Sequence, residues 1–515
     1  MRRFLVLIIL ITGTTLFSCD DSSENNNNNN VVNNSNNTNN TNNTNNTNNS
    51  NNTNNLLPCD GAVAETDDVS KYTKLLACLA SFETETMKSL AVRSFMDHIP
   101  RSGGFPIKNG NMRIFAYFAL PEYDEEDDQA AEEDFAQDRR IAPIRIAGTF
   151  NSWEPTIEME EAFTGFFHGS VDFSTMDEDG AAYKLVSKDS SGNDIWFSDP
   201  QSARFQYDEN GRYSIVNGSE TQGHLRNIRN FHSNLLSNDR HIYIYVPRGY
   251  DHNSSVSYPV IYMHDGNNLF DMFQPFSNGT WDADGVADME IASGNTREFM
   301  IVGISNNADR MYEYTHTPDT IDAGGNPTGG GGDVYAQFIV TELKPLINAQ
   351  FRTLSSRDNT AICGSSLGGL ISYHVARLYP DSFRYVCGMS STFGWGHFGG
   401  DGTTMEELYA EDDLVSRDQV FYLDSGDSPS NTQNPPACPN ETEAEDNYCE
   451  TVSFRDMLVN KGISTFPDDP DSWPLTPAGI NIYHYWVADA SHNEAAWNQR
   501  LYRPLRLFFP ATTKK

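Results

Sequence analysis

Residues 360 to 380 spell out a complete strand–turn–helix unit around one serine. Thr360-Ala361-Ile362-Cys363 is an apolar run of β type. Leu367 to Tyr379 suits a helix, and Pro380 ends it, because proline breaks the helical hydrogen-bond ladder. The turn between them reads Gly364-Ser365-Ser366-Leu367-Gly368. So tight a reversal leaves no space for bulky flanking side chains, which explains a glycine on either side of the serine. A G-x-S-x-G turn lifts its central hydroxyl above the sheet edge and aims the next backbone amide at the same spot. Ser366 is the candidate nucleophile, and the amide of Leu367 a candidate donor to a developing oxyanion.

The surrounding pattern predicts the sheet. His241 to Val246, Val256 to Met263, Phe299 to Ile304, Asn359 to Cys363, Tyr385 to Met389, Gln419 to Leu423 and Ile482 to Ala488 are strand candidates. Several are unbroken apolar runs, as strands covered on both faces must be. Between them, Tyr335, Phe338, Ile339, Leu343, Leu346 and Ile347 mark one helical face, with Asp333 placed to cap it. The alternation implies an α/β fold with a doubly wound, mostly parallel sheet over residues 225–512. Sites in such sheets lie at the carboxyl ends of the strands.

The first 224 residues read differently. Arg2 and Arg3 followed by the apolar run Phe4 to Ile11 form a secretion signal over 1–18, too short to span a membrane comfortably. Leu16-Phe17-Ser18-Cys19 resembles a lipoprotein processing site, which would make Cys19 a lipidated amino terminus. Residues 19–55 are dominated by asparagine and threonine and have almost nothing to bury, so they read as a disordered tether. Leu75, Leu76, Leu79 and Phe82 recur at helical spacing in a small preface over 56–105. From Asn111 the period becomes two. Met112 to Phe118, Ile144 to Ala147, Gly169 to Phe173, Ala182 to Val186 and Ile195 to Phe197 are short strands separated by Gly, Asn and Asp turns, which predicts a β-sandwich over 106–220.

Two resemblances sharpen this. Ala147-Gly148-Thr149-Phe150-Asn151-Ser152-Trp153, Tyr183-Lys184-Leu185 and Trp196-Phe197-Ser198-Asp199-Pro200 resemble the immunoglobulin-like modules of glycogen-branching-type enzymes. That resemblance makes Trp153 and Trp196 candidates for stacking on sugar rings, with core and turn packing as the alternative. The region 225–512 resembles the enterochelin esterase-like family of α/β-hydrolases. The blocks that carry it are Tyr258 to Phe270, with His264-Asp265-Gly266-Asn267-Asn268 at its centre, Ile301 to Ile304, Gly364 to Gly369, and Ser491-His492-Asn493-Glu494-Ala495-Ala496-Trp497. The resemblance implies acyl-ester chemistry by a serine enzyme needing no cofactor. A siderophore or an acylated carbohydrate would be the ester. An acyltransferase of the same fold, or a lipoprotein that only binds a glycan or siderophore, remains as the alternative.

In this fold the order along the chain is serine, acid, histidine. His492 follows the last predicted strand and is the candidate base; His397 precedes the acid region and fits a pocket wall better, beside Trp395. The acid should follow the strand ending at Leu423. Asp427 is nearest, Asp446 is the rival beyond a cysteine-bounded insert, and Asp424 stands third. A second oxyanion donor is expected from the Gly266–Asn267 turn. The long segment from Ser305 to Gly332 offers Arg310 as a substrate contact.

Of seven cysteines, Cys59 with Cys78 and Cys438 with Cys449 are expected as local disulfides, while Cys363 and Cys387 are expected as buried thiols. No cysteine–histidine spacing suggests zinc. Asp282, Asp284 and Asp288 lack the full calcium-loop pattern and read as a solvated turn. A formal net charge of -36 argues against a nucleic-acid partner. Contact with a membrane is expected only through the lipid, on the bacterial cell envelope.

Overall fold

Strands that are apolar on both faces must be covered on both. The computed structural model describes residues 65–81, 84–119, 142–271, 279–320, 325–426, 438, 445–465 and 481–511, without the side chains of 100–102 and 445. Its carboxyl-terminal half is built on β1 (His224–Ser233), β2 (Asn238–Val246), β3 (Val260–His264), β4 (Met300–Ile304), β5 (Thr360–Ser365), β6 (Tyr385–Met389), β7 (Val420–Gly426) and β8 (Ile482–Val487). They lie side by side as β8-β7-β6-β5-β3-β4-β2-β1. From β3 to β8 neighbouring strands pair in parallel; β2 runs antiparallel to both β1 and β4.

Every residue of β3, β4, β5 and β7 is buried. Tyr262, Val302 and Ile362 face α2, a helical run of Gly332–Phe338, Ile339–Leu343 and Lys344–Gln350, and the helices α3 (Leu367–Leu378), α4 (Met405–Glu411) and α5 (Tyr448–Asn460). Ile261, Ile301 and Ala361 face α1 (Ala283–Ala292) and α6 (Glu494–Phe508) on the other side. Fully burying one such Ile or Val contributes roughly 1.5–3 kcal/mol, so these two faces hold the sheet.

Strand β1 escaped the sequence pattern. Its string His-Leu-Arg-Asn-Ile-Arg-Asn-Phe-His-Ser is mostly polar, and a register shift between Ile228 and Phe231 breaks its alternation. Asp333 does not cap α2: the helix starts at Gly332 with no side-chain cap, and the Asp333 carboxylate sits 2.7 Å from His374 Nε2 instead. Cys363 and Cys387, expected as separate thiols, are cross-strand neighbours on β5 and β6 whose sulfurs are joined. Cys438 and Cys449 form a disulfide. Cys78 is disulfide-bonded, while its expected partner Cys59 lies outside the described residues, as do the signal segment, Cys19 and the tether.

Upstream, Met112–Phe118 shows how the first half is layered. Ile114, Ala116 and Phe118 point to one side, into a core shared with Leu75, Val92, Phe95 and Ile99 of the helices Asp68–Ser81 and Glu85–Ser102. Phe115 and Tyr117 point to the other, against Ile146, Tyr183, Leu185 and Phe197. The helical preface thus roofs a four-stranded sheet whose opposite face packs on a second sheet. That second sheet is continuous with β1: Leu225 pairs with Phe205. Trp153 and Trp196 are both exposed. No described helix is long and apolar enough to cross a membrane.

The Asp282–Asp288 cluster is not a solvated turn. Asp284 is only 7% exposed, and among the described residues its Oδ1 has no hydrogen-bond partner. Burial, then the neighbouring Asp282, pushes its carboxyl up to about 8. A carboxyl whose folded pKa lies above its unfolded value costs stability as pH rises from the unfolded toward the folded pKa, here from about 4 to about 8. Asp284→Asn is therefore expected to stabilise the protein at pH 8 by up to about 5 kcal/mol, read as a higher melting temperature, and to do little at pH 4. Thermal melts of both proteins at the two pH values check this.

Candidate active site

The β5–α3 turn forces Ser366 into a conformation that few residues other than glycine adopt, with φ 55° and ψ -125°. The turn is locked: Ser366 N–H donates to Met389 O at 3.0 Å, and Ser366 O accepts from Leu370 N–H at 3.1 Å and Thr392 N–H at 3.2 Å. A Cβ on Gly364 would lie 2.5 Å from the backbone of Gly368, so the flanking glycine is a steric requirement. The Ser366 side chain is part-exposed, with Oγ 3.4 Å from Thr392 Oγ1. Among the described residues no hydrogen bond joins Ser366 to His492. Leu367 is the first residue of α3, so its N–H has no acceptor within the helix.

His492 lies in the loop between β8 and α6. Its Nδ1 is 2.7 Å from Asp446 Oδ1. A carboxylate can only accept, so Nδ1 carries the proton, and in the neutral ring the lone pair is then on Nε2. The imidazole is 36% exposed while the Asp446 side chain is 1% exposed, which puts a solvent-facing base on a buried acid. The edge of Trp497 fixes the ring from behind, centroids 5.1 Å apart.

Asp446 stands at the mouth of α5 with φ 67°. Its Oδ2 accepts from Ser390 Oγ at 2.7 Å and from Gly426 N–H. Arg500 supplies the countercharge: Nη2 is 3.7 Å from Asp446 Oδ2, and Nε is 3.2 Å from Asp424 Oδ2. Ser390 Oγ also receives Trp497 Nε1 at 3.0 Å and Arg500 Nη2 at 3.1 Å. Asp424, third among the acid candidates, is thus one layer behind, hydrogen-bonded to the Tyr422 hydroxyl at 2.9 Å. Asp427 lies outside the described residues.

Gly266 and Asn267 follow β3, directly beside the elbow, since β3 and β5 are neighbours. A Cβ on Gly266 would lie 2.7 Å from Gly303 C. Asp265, also at positive φ, anchors this turn. Arg310 grips it bidentately at 2.7 and 2.9 Å, and Asn306 Nδ2 donates to it at 2.5 Å. Burial would raise the Asp265 carboxyl, but the Arg310 guanidinium and the Asn306 amide together outweigh it and hold it below its ordinary value. Arg310, expected to meet substrate, is placed with its fork on Asp265 instead.

Trp395, expected along the pocket, is 1% exposed and donates Nε1–H to Thr317 O at 2.7 Å. His397 is exposed and faces Glu407 at 3.5 Å, apart from His492 and Ser366. The described parts of the Ser305–Gly332 segment, 305–320 and 325–332, carry regular structure. They hold a helical turn (Arg310–Glu313) and a two-stranded ladder, and Asp319 accepts N–H bonds from Gly396, Phe398, Gly399 and Gly400 at 2.6 to 3.1 Å. A separate cleft of about 560 Å³, lined by Asp97, Arg226, Arg229 and Gln350 among others, contains none of the site residues above.

The sequence pattern missed Ser390, Thr392 and Arg500. One signal was present for Arg500: it shares a helical face with Trp497, Leu501 and Leu505, and an arginine among core positions announces a buried acid.

Parallel strands, covering helices and a strained serine elbow make this half of the molecule an α/β-hydrolase. The profile of the family described as Putative esterase matches residues 233–507, more than half of the chain, and the chain belongs to that family. Among curated proteins, it is 27% identical over 158 residues to the uncharacterized protein YbbA of Bacillus subtilis, covering 30% of this chain and 58% of that one. It is 31% identical over 144 residues to the siderophore triacetylfusarinine C esterase of Aspergillus fumigatus, covering 27% and 45%. The chain spans about half the length of the curated relatives it matches. Among solved structures, a ferulic acid esterase aligns with TM-score 0.39 at 19% identity, covering 56% of this chain and 98% of that one. The enterobactin esterase of Shigella flexneri aligns with TM-score 0.38 at 14% identity, covering 78% and 94%.

Proposed function

We propose that the protein is a serine carboxylic-ester hydrolase in which Ser366, His492 and Asp446 act together. The observation that carries this is the His492–Asp446 hydrogen bond of 2.7 Å, which frees Nε2 as a base in the fold that presents Ser366. On substrate binding, His492 Nε2 takes the Ser366 proton as Oγ bonds to the ester carbonyl carbon. The oxyanion accepts from the Leu367 N–H and from an N–H of the Gly266–Asn267 turn, each worth roughly 3–4 kcal/mol in the transition state. The carbon–oxygen bond to the alcohol then breaks, and His492 returns the proton to the leaving oxygen. Water repeats the sequence on the acyl-enzyme and releases the carboxylic acid. The long Ser366–Thr392 contact suits a resting hydroxyl that turns to the base when substrate arrives.

Residues 106–220 would form an immunoglobulin-like sandwich, and an exported chain anchored through Cys19 would carry the enzyme on the envelope. The substrate would be a siderophore ester or an acylated carbohydrate. The test incubates wild type with short-chain nitrophenyl esters, feruloyl and acetyl sugars, and catecholate trilactones, alongside a fluorophosphonate probe. Turnover of at least one ester class, with the probe on Ser366, is expected. A protein that neither labels nor turns over any of them would sink the proposal.

A further inference from the structure

Helix α5 reaches the site at more than one point. Asp446 and Asn447 stand at its mouth, and Glu450 follows one turn later. Glu450 Oε2 accepts the backbone N–H of Gly394 at 2.8 Å. Gly394 belongs to the turn leaving β6, and that turn touches both Asp446 and Ser366. Its Ser390 hydroxyl is on Asp446, its Thr392 N–H donates to Ser366 O at 3.2 Å, and its Thr392 Oγ1 lies 3.4 Å from Ser366 Oγ. Asn447 Nδ2 holds the same turn at Ser390 O, 2.8 Å away. Phe393 stacks on Phe454, one turn beyond Glu450, with ring centroids 4.2 Å apart. Gly394 has no room for a side chain, since a Cβ would meet Glu450 Oε1 at 2.8 Å.

We propose that Glu450 is a positioning residue for ester cleavage: by holding Gly394 it fixes Thr392, and through Thr392 the place from which the Ser366 hydroxyl starts. The inference rests on Ser366 being the nucleophile. Burial pushes the Glu450 carboxyl up to about 7, against the pull of the Gly394 N–H. An uncharged amide of the same shape can therefore take over its task.

The experiment compares Glu450→Ala and Glu450→Gln in the full chain, on an ester the wild type turns over. Misplacing a reacting group by about 1 Å can cost about a hundredfold in rate. Glu450→Ala should lose kcat by about that factor with KM nearly unchanged, and label Ser366 correspondingly more slowly with a fluorophosphonate. Glu450→Gln, which keeps an acceptor for Gly394 N–H, should recover most of it. Wild-type kcat in the alanine variant overturns the proposal. So does a glutamine variant as slow as the alanine one, or a loss confined to KM. If Glu450→Ala does not fold, Thr392→Val severs the same link at Ser366, and an unchanged kcat there overturns it equally. Ser366→Ala runs beside them: activity retained in that variant would show that the nucleophile, and not Glu450, was wrongly assigned.

Discussion

Replacing Ser366 by glycine is expected to abolish ester turnover and to raise the melting temperature. The two effects share one cause. Ser366 sits at φ 55° and ψ -125°, where a side chain costs roughly 1–3 kcal/mol. Glycine adopts that conformation without the penalty but gives up roughly 0.5–1 kcal/mol through the freedom of its unfolded chain. A net gain of about 1 kcal/mol is expected. Turnover should fall by about a millionfold, as happens when a nucleophile is removed from a group that works as a unit. Ser366→Ala, which keeps the Cβ and hence the strain, should be equally inactive with an unchanged melting temperature. Kinetics, fluorophosphonate labelling and calorimetry on the three proteins check both halves. A glycine variant that is dead but melts lower would mean that the elbow is not strained.

Asp446→Asn is expected to lower kcat by about ten-thousandfold, while Asp427→Asn stays within a few-fold of wild type. The reason is the direction of one proton. An asparagine amide at 446 can turn its N–H toward His492 Nδ1, which selects the tautomer that protonates Nε2 and disables the base. The change also removes a charge from a buried cluster. Asp446 shares Arg500 with Asp424, so neutralising it leaves that guanidinium with a single buried carboxylate. A melting temperature lower by several degrees should accompany the loss of rate. Steady-state kinetics on the pair decides between the two aspartates. Loss of activity in Asp427→Asn with Asp446→Asn intact would reverse the assignment.

The serine, the histidine and most strands were readable because each is written locally. Gly364 to Gly368 encodes its own turn, and the unbroken apolar runs of β3 to β7 leave little choice but a doubly covered sheet. The carboxylate that meets His492 was not local. Its place depends on where the insert between β7 and α5 returns the chain, and nothing in residues 427–445 announces that point. Only the spatial partners of residue 446 (Ser390, Gly426 and Arg500, drawn from three other segments) distinguish it from its neighbours. The protein partners of Arg310 and Trp395 were hidden for a related reason. A cation and an indole near a site read as substrate contacts until their actual partners, Asp265 and the Thr317 carbonyl, are seen. β1 failed because strand pairing, not side-chain alternation, holds it.

The pairing of Leu225 with Phe205 makes the front module and the hydrolase parts of one woven surface. Two beads on a string can swivel, but here Phe205 also packs into the hydrolase core and Asp251 takes both Arg204 and Arg226, so the two parts are tied at several points. Whatever the outer strands hold is therefore presented to the serine at a constant bearing. For the same reason a scissor cut near residue 223 would not liberate a neat minimal enzyme. It would strip Phe205 from Leu225 and leave Asp251 without Arg204.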